Sequence, residues 1–240
     1  MKRFWDIAAP IRAEAGWQVA LDARPVNIPG EGSGTPLLLP AQALAEAVAG
    51  EWQRAGGGKG GELSYDDLPL TRLAGTAQAR IAPDPAPVAL ELARYAESDL
   101  LCYRADFPAQ LAARQQQTWQ PWLDWAAERH GARLRWTTGI VHVAQEPAAL
   151  AALAAATARL GPHALAALGI AVPAMGSLVL GLALADGALD AGRAYEIAYL
   201  DETTQIEFWG HDEEAEARLR QVAADIALAA RLLSLLRDAG

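Results

Sequence analysis

Apolar and polar residues follow two different periods along this chain. In WQVALDARPVNIP (Trp17–Pro29), Val19, Leu21 and Ala23 occupy every second position between polar neighbours, the period of a half-buried strand. The loop GEGSGTP and the short apolar run LLLP follow, so the pattern predicts two strands of a small sheet. From Pro40 the period lengthens: Leu44, Val48 and Trp52 recur every fourth residue, which predicts a helix from Pro40 through Ala55 that GGGKGG (56–61) stops.

Helical spacing dominates the rest. Leu70, Leu73, Ala77 and Ile81 share one face, PVALELARYAESDLLCYRAD reads as a further helix, and PAQLAARQQQTWQPWLDWAAERHG as another. Pro121 lies inside the last of these and predicts a bend or a restart, because it has no amide proton. ARLRWTTGIVHVAQ (132–145) is the one later stretch with strand character, interrupted at Gly139 in the manner of a bulge. Leu150, Leu153, Thr157 and Leu160 resume the helical step, IAVPAMGSLVLGLALA (170–185) reads as a buried core helix, and Ala215, Leu219, Val222, Ile226, Ala229, Leu233 and Leu236 form the stripe of a long final helix.

Composition agrees with a helical, cytoplasmic protein. Of the 240 residues 52% are apolar and 20% charged, enough for a core without disulfides or structural metals. The net charge of −9 disfavours nucleic acid and anionic membrane as partners. Cys102 is the single cysteine, the start MKRFWDIAAPIRA has no signal-peptide core, and the most apolar run is shorter than a bilayer span.

The usual catalytic signatures are missing. Lys59 in GGGKGG is followed by Gly60 where a P-loop needs Ser or Thr, and the loop follows a helix, so a linker is expected. Ser177 in MGSLV lacks the second glycine of a nucleophile elbow and is expected to bond its own helix backbone. Cys102, between leucine and tyrosine, is expected to be a buried small hydrophobe. His130, His142, His163 and His211 are scattered outside any zinc pattern, and no metal or cofactor is expected.

The exception is LDETTQIEFWGHDEEAE (200–216). From Glu196 to Ala217 there are eight carboxylates and no Lys or Arg. Adjacent helical residues point in different directions, so Asp212, Glu213 and Glu214 cannot converge on one ion, and Asp212–Glu216 read as the acidic first turn of the final helix. In a helical Asp201–Trp209, Glu202, Gln205 and Trp209 fall on one face. That face suits a protein interface, with Trp209 as anchor and charge for steering; equally, Trp209 packs beneath a turn at Gly210. A rival is a small-molecule hydrolase or isomerase using Glu202 or Asp212 with His211 as acid and base.

Several longer stretches then carry a resemblance. KRFW, VALDARPV followed by LLLP, Glu51-Trp52, LPLTRLAGTA, YAESDLLCYRAD, RQQQTWQPWLDWA, GSLVLGLALA and LDETTQIEFWGHDEEA occur in the order seen in the ATP12 family, which this chain resembles over nearly its whole length. The resemblance implies an α+β molecule: a small N-terminal sheet domain (1–65) followed by a larger, mainly α-helical domain (66–240). It implies a monomeric, non-enzymatic assembly chaperone for the F1 sector of ATP synthase, which binds the free alpha subunit until a beta subunit replaces it. Trp52, Asp99, Tyr103, Arg104, Trp119, Glu202, Gln205, Trp209 and Gly210 sit on matching positions. The expected partner-binding set is Glu202, Gln205, Trp209, Gly210, Asp212 and Trp52, while Asp99 and Arg104 suggest a structural ion pair. The GGGKGG insertion departs from the family pattern. Without the mitochondrial presequence of eukaryotic members, a bacterial cytoplasmic protein is expected.

Overall fold

The computed structural model describes residues 1–28, 34–209 and 213–237, and among these the side chains of 205–209, 213 and 215 are excepted. The chain is α+β, a small sheet followed by helices, as expected. Its compact units are 1–84 with 161–167 and 231–240, and 85–160 with 168–230.

In the first unit, strands β1 (Ala8–Ala13), β2 (Gly16–Leu21) and β3 (Arg24–Pro25) form an antiparallel sheet in that order, with Ala8 opposite Leu21 and Ala20 opposite Pro25. The alternation in Trp17–Pro29 marks β2. It misses β1, whose AAPIRA carries a proline and exposed Ile11 and Arg12; as an edge strand, β1 tolerates both. LLLP pairs through isolated backbone bonds: Leu39 and Trp17 exchange two of 2.8 Å, and Leu37 N donates to Val26 O at 2.9 Å. Helix α1 (Gln42–Arg54) packs on β1 and β2 and buries Leu44, Val48 and Trp52.

KRFW secures the end of that helix. Arg3 is buried, and its guanidinium donates to the carbonyls of Trp5, Gln53, Ala55 and Asp6, so a cation meets the negative end of the α1 dipole. Trp5 is fully buried and donates to Trp52 O at 3.2 Å. Glu51 reaches forward to helix α2 (Pro69–Thr76), where its carboxylate accepts from the amides of Leu70 and Thr71 and from the Thr71 hydroxyl, at 2.7, 3.0 and 3.0 Å. Burial raises the Glu51 pKa against these bonds, which pull it down. A single wider turn, Ala77–Ile81, prolongs α2.

In the second unit, helix α3 (Ala86–Ala93) gives way to tight turns through Cys102, where a longer helix was expected. Asp99 ends it. Its backbone is extended, and its fully buried carboxylate accepts from Leu101 N at 3.2 Å and from Val179 N at 3.1 Å, capping helix α7 (Leu178–Asp186). Two-residue strands β4 (Tyr103–Arg104) and β5 (Thr137–Thr138) pair in parallel. The strand expected over 132–145 therefore shrinks to Thr137–Thr138, since Gly139 turns away with φ +74°.

Helix α4 (Ala109–His130) runs through Pro121 without restarting. Helix α5 (Pro147–Ala158) follows, then α6 (Pro162–Met175). The core helix expected over 170–185 is two helices, α6 and α7, separated at Gly176, whose φ of +62° suits a residue without Cβ, and Ser177. Ser177 accepts from Leu180 N at 3.1 Å as the first cap of α7, which refines the expected backbone bond. Cys102 is buried, as expected. No Asp99–Arg104 ion pair forms: Asp99 serves amides, and Arg104 donates to Gln116 and Gln120 and lies over Trp136. Helices α8 (Ala191–Ala198), α9 (Leu200–Trp209) and α10 (Glu213–Arg237) complete the chain.

Candidate functional site

The acidic segment folds as helix α9, which opens on Asp201 and Glu202. Carboxylates in a first helical turn face unpaired amides and the positive end of the dipole, so their position follows from local chemistry. Helix α4 supplies the wall behind them. Gln115, fully buried, donates to Asp201 Oδ1 at 2.7 Å while its own carbonyl oxygen accepts from Ala105 N at 2.7 Å. Trp119, fully buried, donates to Ile197 O at 2.9 Å, and Arg114 donates to the buried Thr204 hydroxyl at 3.4 Å. RQQQTW is therefore the strip of α4 that holds the approach to α9.

Both carboxylates are half-buried, and both have raised pKa values. Burial is the first cause for Asp201, opposed by the Gln115 bond. For Glu202 burial comes first as well; its own amide and Arg218 lower the value, while the neighbouring Asp201 raises it. Among the described residues neither makes an ion pair. Tyr195 and Tyr199 stack nearby at 5.2 Å between ring centroids, and burial and the Glu202 charge raise both phenols. The surface thus keeps negative charge at a cost to folded stability, a feature of sites that meet something else.

Of the expected set, Glu202 has a described environment. Gln205 and Trp209 lie on the same helix, but their side chains fall outside the described residues, as do Gly210, His211 and Asp212. Trp52 belongs to the first unit: 6% exposed, it packs on Trp5 with centroids 5.2 Å apart and donates to Thr71 Oγ1 at 3.1 Å. Its place in the sequence pattern reflects packing within that unit. Sequence reasoning passed over Asp201 and Gln115; an amide three residues before Thr118-Trp119 gives no signal until α4 and α9 are brought together. Among the described residues no group of three or more His, Cys, Asp or Glu is placed to hold a metal ion, and no helix is long and apolar enough to cross a membrane.

Fold and site together define an α+β protein with a small N-terminal sheet and an acidic helical edge buttressed by a glutamine-rich helix. The comparisons carry this further. A family model described as ATP12 chaperone protein matches residues 2–127. The crystal structure of Atp12 from Paracoccus denitrificans is 42% identical, with 98% of both chains covered and a TM-score of 0.91. A mutant of that protein with lysine in place of an aspartate matches at 41% identity, 98% of both chains and a TM-score of 0.92. A candidate chaperone from Agrobacterium tumefaciens is 37% identical, over 98% of this chain and 86% of its own, with a TM-score of 0.88. This chain belongs to the ATP12 chaperone family.

Proposed function

We propose that this protein is an assembly chaperone for the F1 sector of ATP synthase in the bacterial cytoplasm, holding the free alpha subunit until a beta subunit takes its place. Family membership supports the chaperone role. The observation that carries the choice of surface is the half-buried pair Asp201 and Glu202, kept without a cation among the described residues and with raised pKa values. Glu202 is the central contact, and Gln205, Trp209, Gly210 and Asp212 follow it along the same acidic segment.

The mechanism is mass action. A partner that binds the folded but unassembled alpha subunit stabilises that state by RT ln(1 + [L]/Kd), about 2.7 kcal/mol at 100 times Kd, with no need for ATP. Apolar surface awaiting beta is covered meanwhile, which suppresses aggregation. The acidic edge speeds encounter with a basic patch on alpha, so association slows as salt rises. The test is to dilute purified alpha subunit from denaturant and follow light scattering. An equimolar amount of this protein suppresses the scattering; unchanged scattering, with no complex on gel filtration, overturns the proposal.

A further inference from the structure

Asp201 and Glu202 are neighbouring carboxylates of like charge, and the fold does not treat them alike. Successive helical residues lie about 100° apart around the axis, so the rotation of α9 that turns Asp201 to helix α4 turns Glu202 to a different face. A rotation by one residue would exchange the two. Charge cannot decide between them, because both groups carry it. The choice has to come from bonds that only one of them forms.

Gln115 supplies such a bond from the core. It is fully buried, and both ends of its amide are committed. A backbone N–H can only donate, so Ala105 N, at 2.7 Å, holds the Gln115 oxygen on its own side and leaves the NH2 group facing Asp201 Oδ1, also at 2.7 Å. That orientation calls for an acceptor at position 201. The same bond opposes the burial that raises the Asp201 pKa.

The neighbouring contacts repeat the choice. Thr204, three residues after Asp201 and on the same helical face, is 3% exposed and accepts from Arg114 at 3.4 Å. Trp119, four residues after Gln115 on α4, is fully buried and donates to Ile197 O at 2.9 Å, which holds the end of α8. One strip of α4 therefore grips α8 and the inner face of α9. Glu202 stands apart from this set: among the described residues no side chain of α4 bonds it, and Arg218 acts on it through charge.

We propose that Gln115 is a positioning residue for the client surface: it commits Asp201 to α4, fixes the rotation of α9 by that bond, and so presents Glu202 as the carboxylate that meets a basic group of the partner. The inference rests on the reading of the acidic edge as the surface that meets the alpha subunit. Gln115 is itself enclosed, so it acts through Asp201.

The experiment is a double-mutant cycle on the full-length protein. Kd for purified alpha subunit is measured by surface plasmon resonance and corrected for the folded fraction by circular dichroism. Glu202→Gln is expected to raise Kd about tenfold. Gln115→Met keeps the bulk of the side chain without its hydrogen bonds and is expected to raise Kd by a similar factor. The double variant should bind about as well as the weaker single, because both changes remove one contact. A Gln115→Met that lowers the melting temperature while Kd stays at the wild-type value makes Gln115 structural and overturns the inference, as does a double variant in which the two factors multiply. Should Gln115→Met not fold, Asp201 answers from the other side of the bond. Asp201→Val offers no acceptor and should weaken binding as much as Glu202→Gln; Asp201→Asn keeps an acceptor without the charge and should bind more tightly than Asp201→Val. Equal Kd for those two overturns the inference. If wild type does not bind alpha, or Glu202→Gln binds as wild type does, the reading of the acidic edge fails and the inference falls with it. If Glu202→Gln weakens binding and Gln115→Met does not, the inference alone fails.

Discussion

Asp99 offers a test in which two opposed effects are weighed by number. Its carboxylate is fully buried, which disfavours charge, yet it accepts from the amides of Leu101, Val179 and Leu178 and from the Ser177 hydroxyl, which favour it. Burial wins and the pKa is pushed up to about 6 from 3.8. Below 3.8 the folded and unfolded chains both hold the proton. Between the two values only the folded chain keeps it, so each rise in pH withdraws stability, and above about 6 the whole amount is lost. At about 1.4 kcal/mol per unit the interval amounts to about 3 kcal/mol. Asp99→Asn removes the titration and keeps one acceptor. Urea unfolding followed by tryptophan fluorescence, at matched ionic strength from pH 4.5 to 7.5, gives the stability of wild type minus that of the variant. That difference should fall by roughly 2 kcal/mol across the range and flatten above pH 7. A difference that is constant, or that grows with pH, would refute the reasoning, because the amides of the α7 terminus would then outweigh burial.

Three further outcomes follow from particular contacts. Glu202→Gln should slow association with the alpha subunit and Glu202→Lys slow it more, the gap closing at high salt, and Glu202→Gln should not lower the melting temperature because burial makes the carboxylate charge unfavourable to the fold; a salt-independent effect in binding kinetics would contradict this. Trp52→Phe removes the bond to Thr71 and part of a packed ring, so stability in urea should fall by about 2–4 kcal/mol while the alpha affinity of the folded protein holds; lost affinity at unchanged stability would make Trp52 a contact. Gly181→Ala would place a Cβ 2.5 Å from Val172 Cγ2, and the overpacking should cost about 1–3 kcal/mol in thermal unfolding despite the better helix propensity of alanine. Val172→Ala in the same chain should recover much of it; the absence of any recovery would locate the strain elsewhere.

Periodicity made the helices legible where a stripe ran uninterrupted. The α1 stripe of Leu44, Val48 and Trp52 is buried as expected, and in α10 Leu219, Ile226, Ala229 and Leu233 are buried. It failed where backbone geometry was decided from outside the segment. The α-helix stops at Ala93, tight turns run to Ser98, and at Asp99 the backbone is extended with its carboxylate bonded to an amide 80 residues further on, a partner that periodicity cannot show. Likewise TTGIVHV has the composition of a strand, yet strand pairing is confined to Thr137–Thr138, and Ile140 and Val141 are left in solvent. A β-branched run reports a preference for pleated surroundings, and the surroundings are supplied by the rest of the chain.

The residues that made the chain recognisable mostly hold its elements together. Arg3 and Trp5 of KRFW close the end of α1, Glu51 and Trp52 anchor α2, Asp99 caps α7, and Trp119 ties α4 to the end of α8. Each is a buried polar or amphipathic group whose loss leaves a donor or acceptor unpaired, at about 1–3 kcal/mol, so substitution is costly wherever the fold is used. A contact surface obeys a different rule: it must remain unsatisfied until the partner arrives. A half-buried carboxylate that makes no ion pair among the described residues, as at Glu202, meets that condition; a capped amide does not. Motif strength therefore identified the scaffold, and the raised pKa of half-buried Glu202 is the physical mark on which the proposed client surface rests.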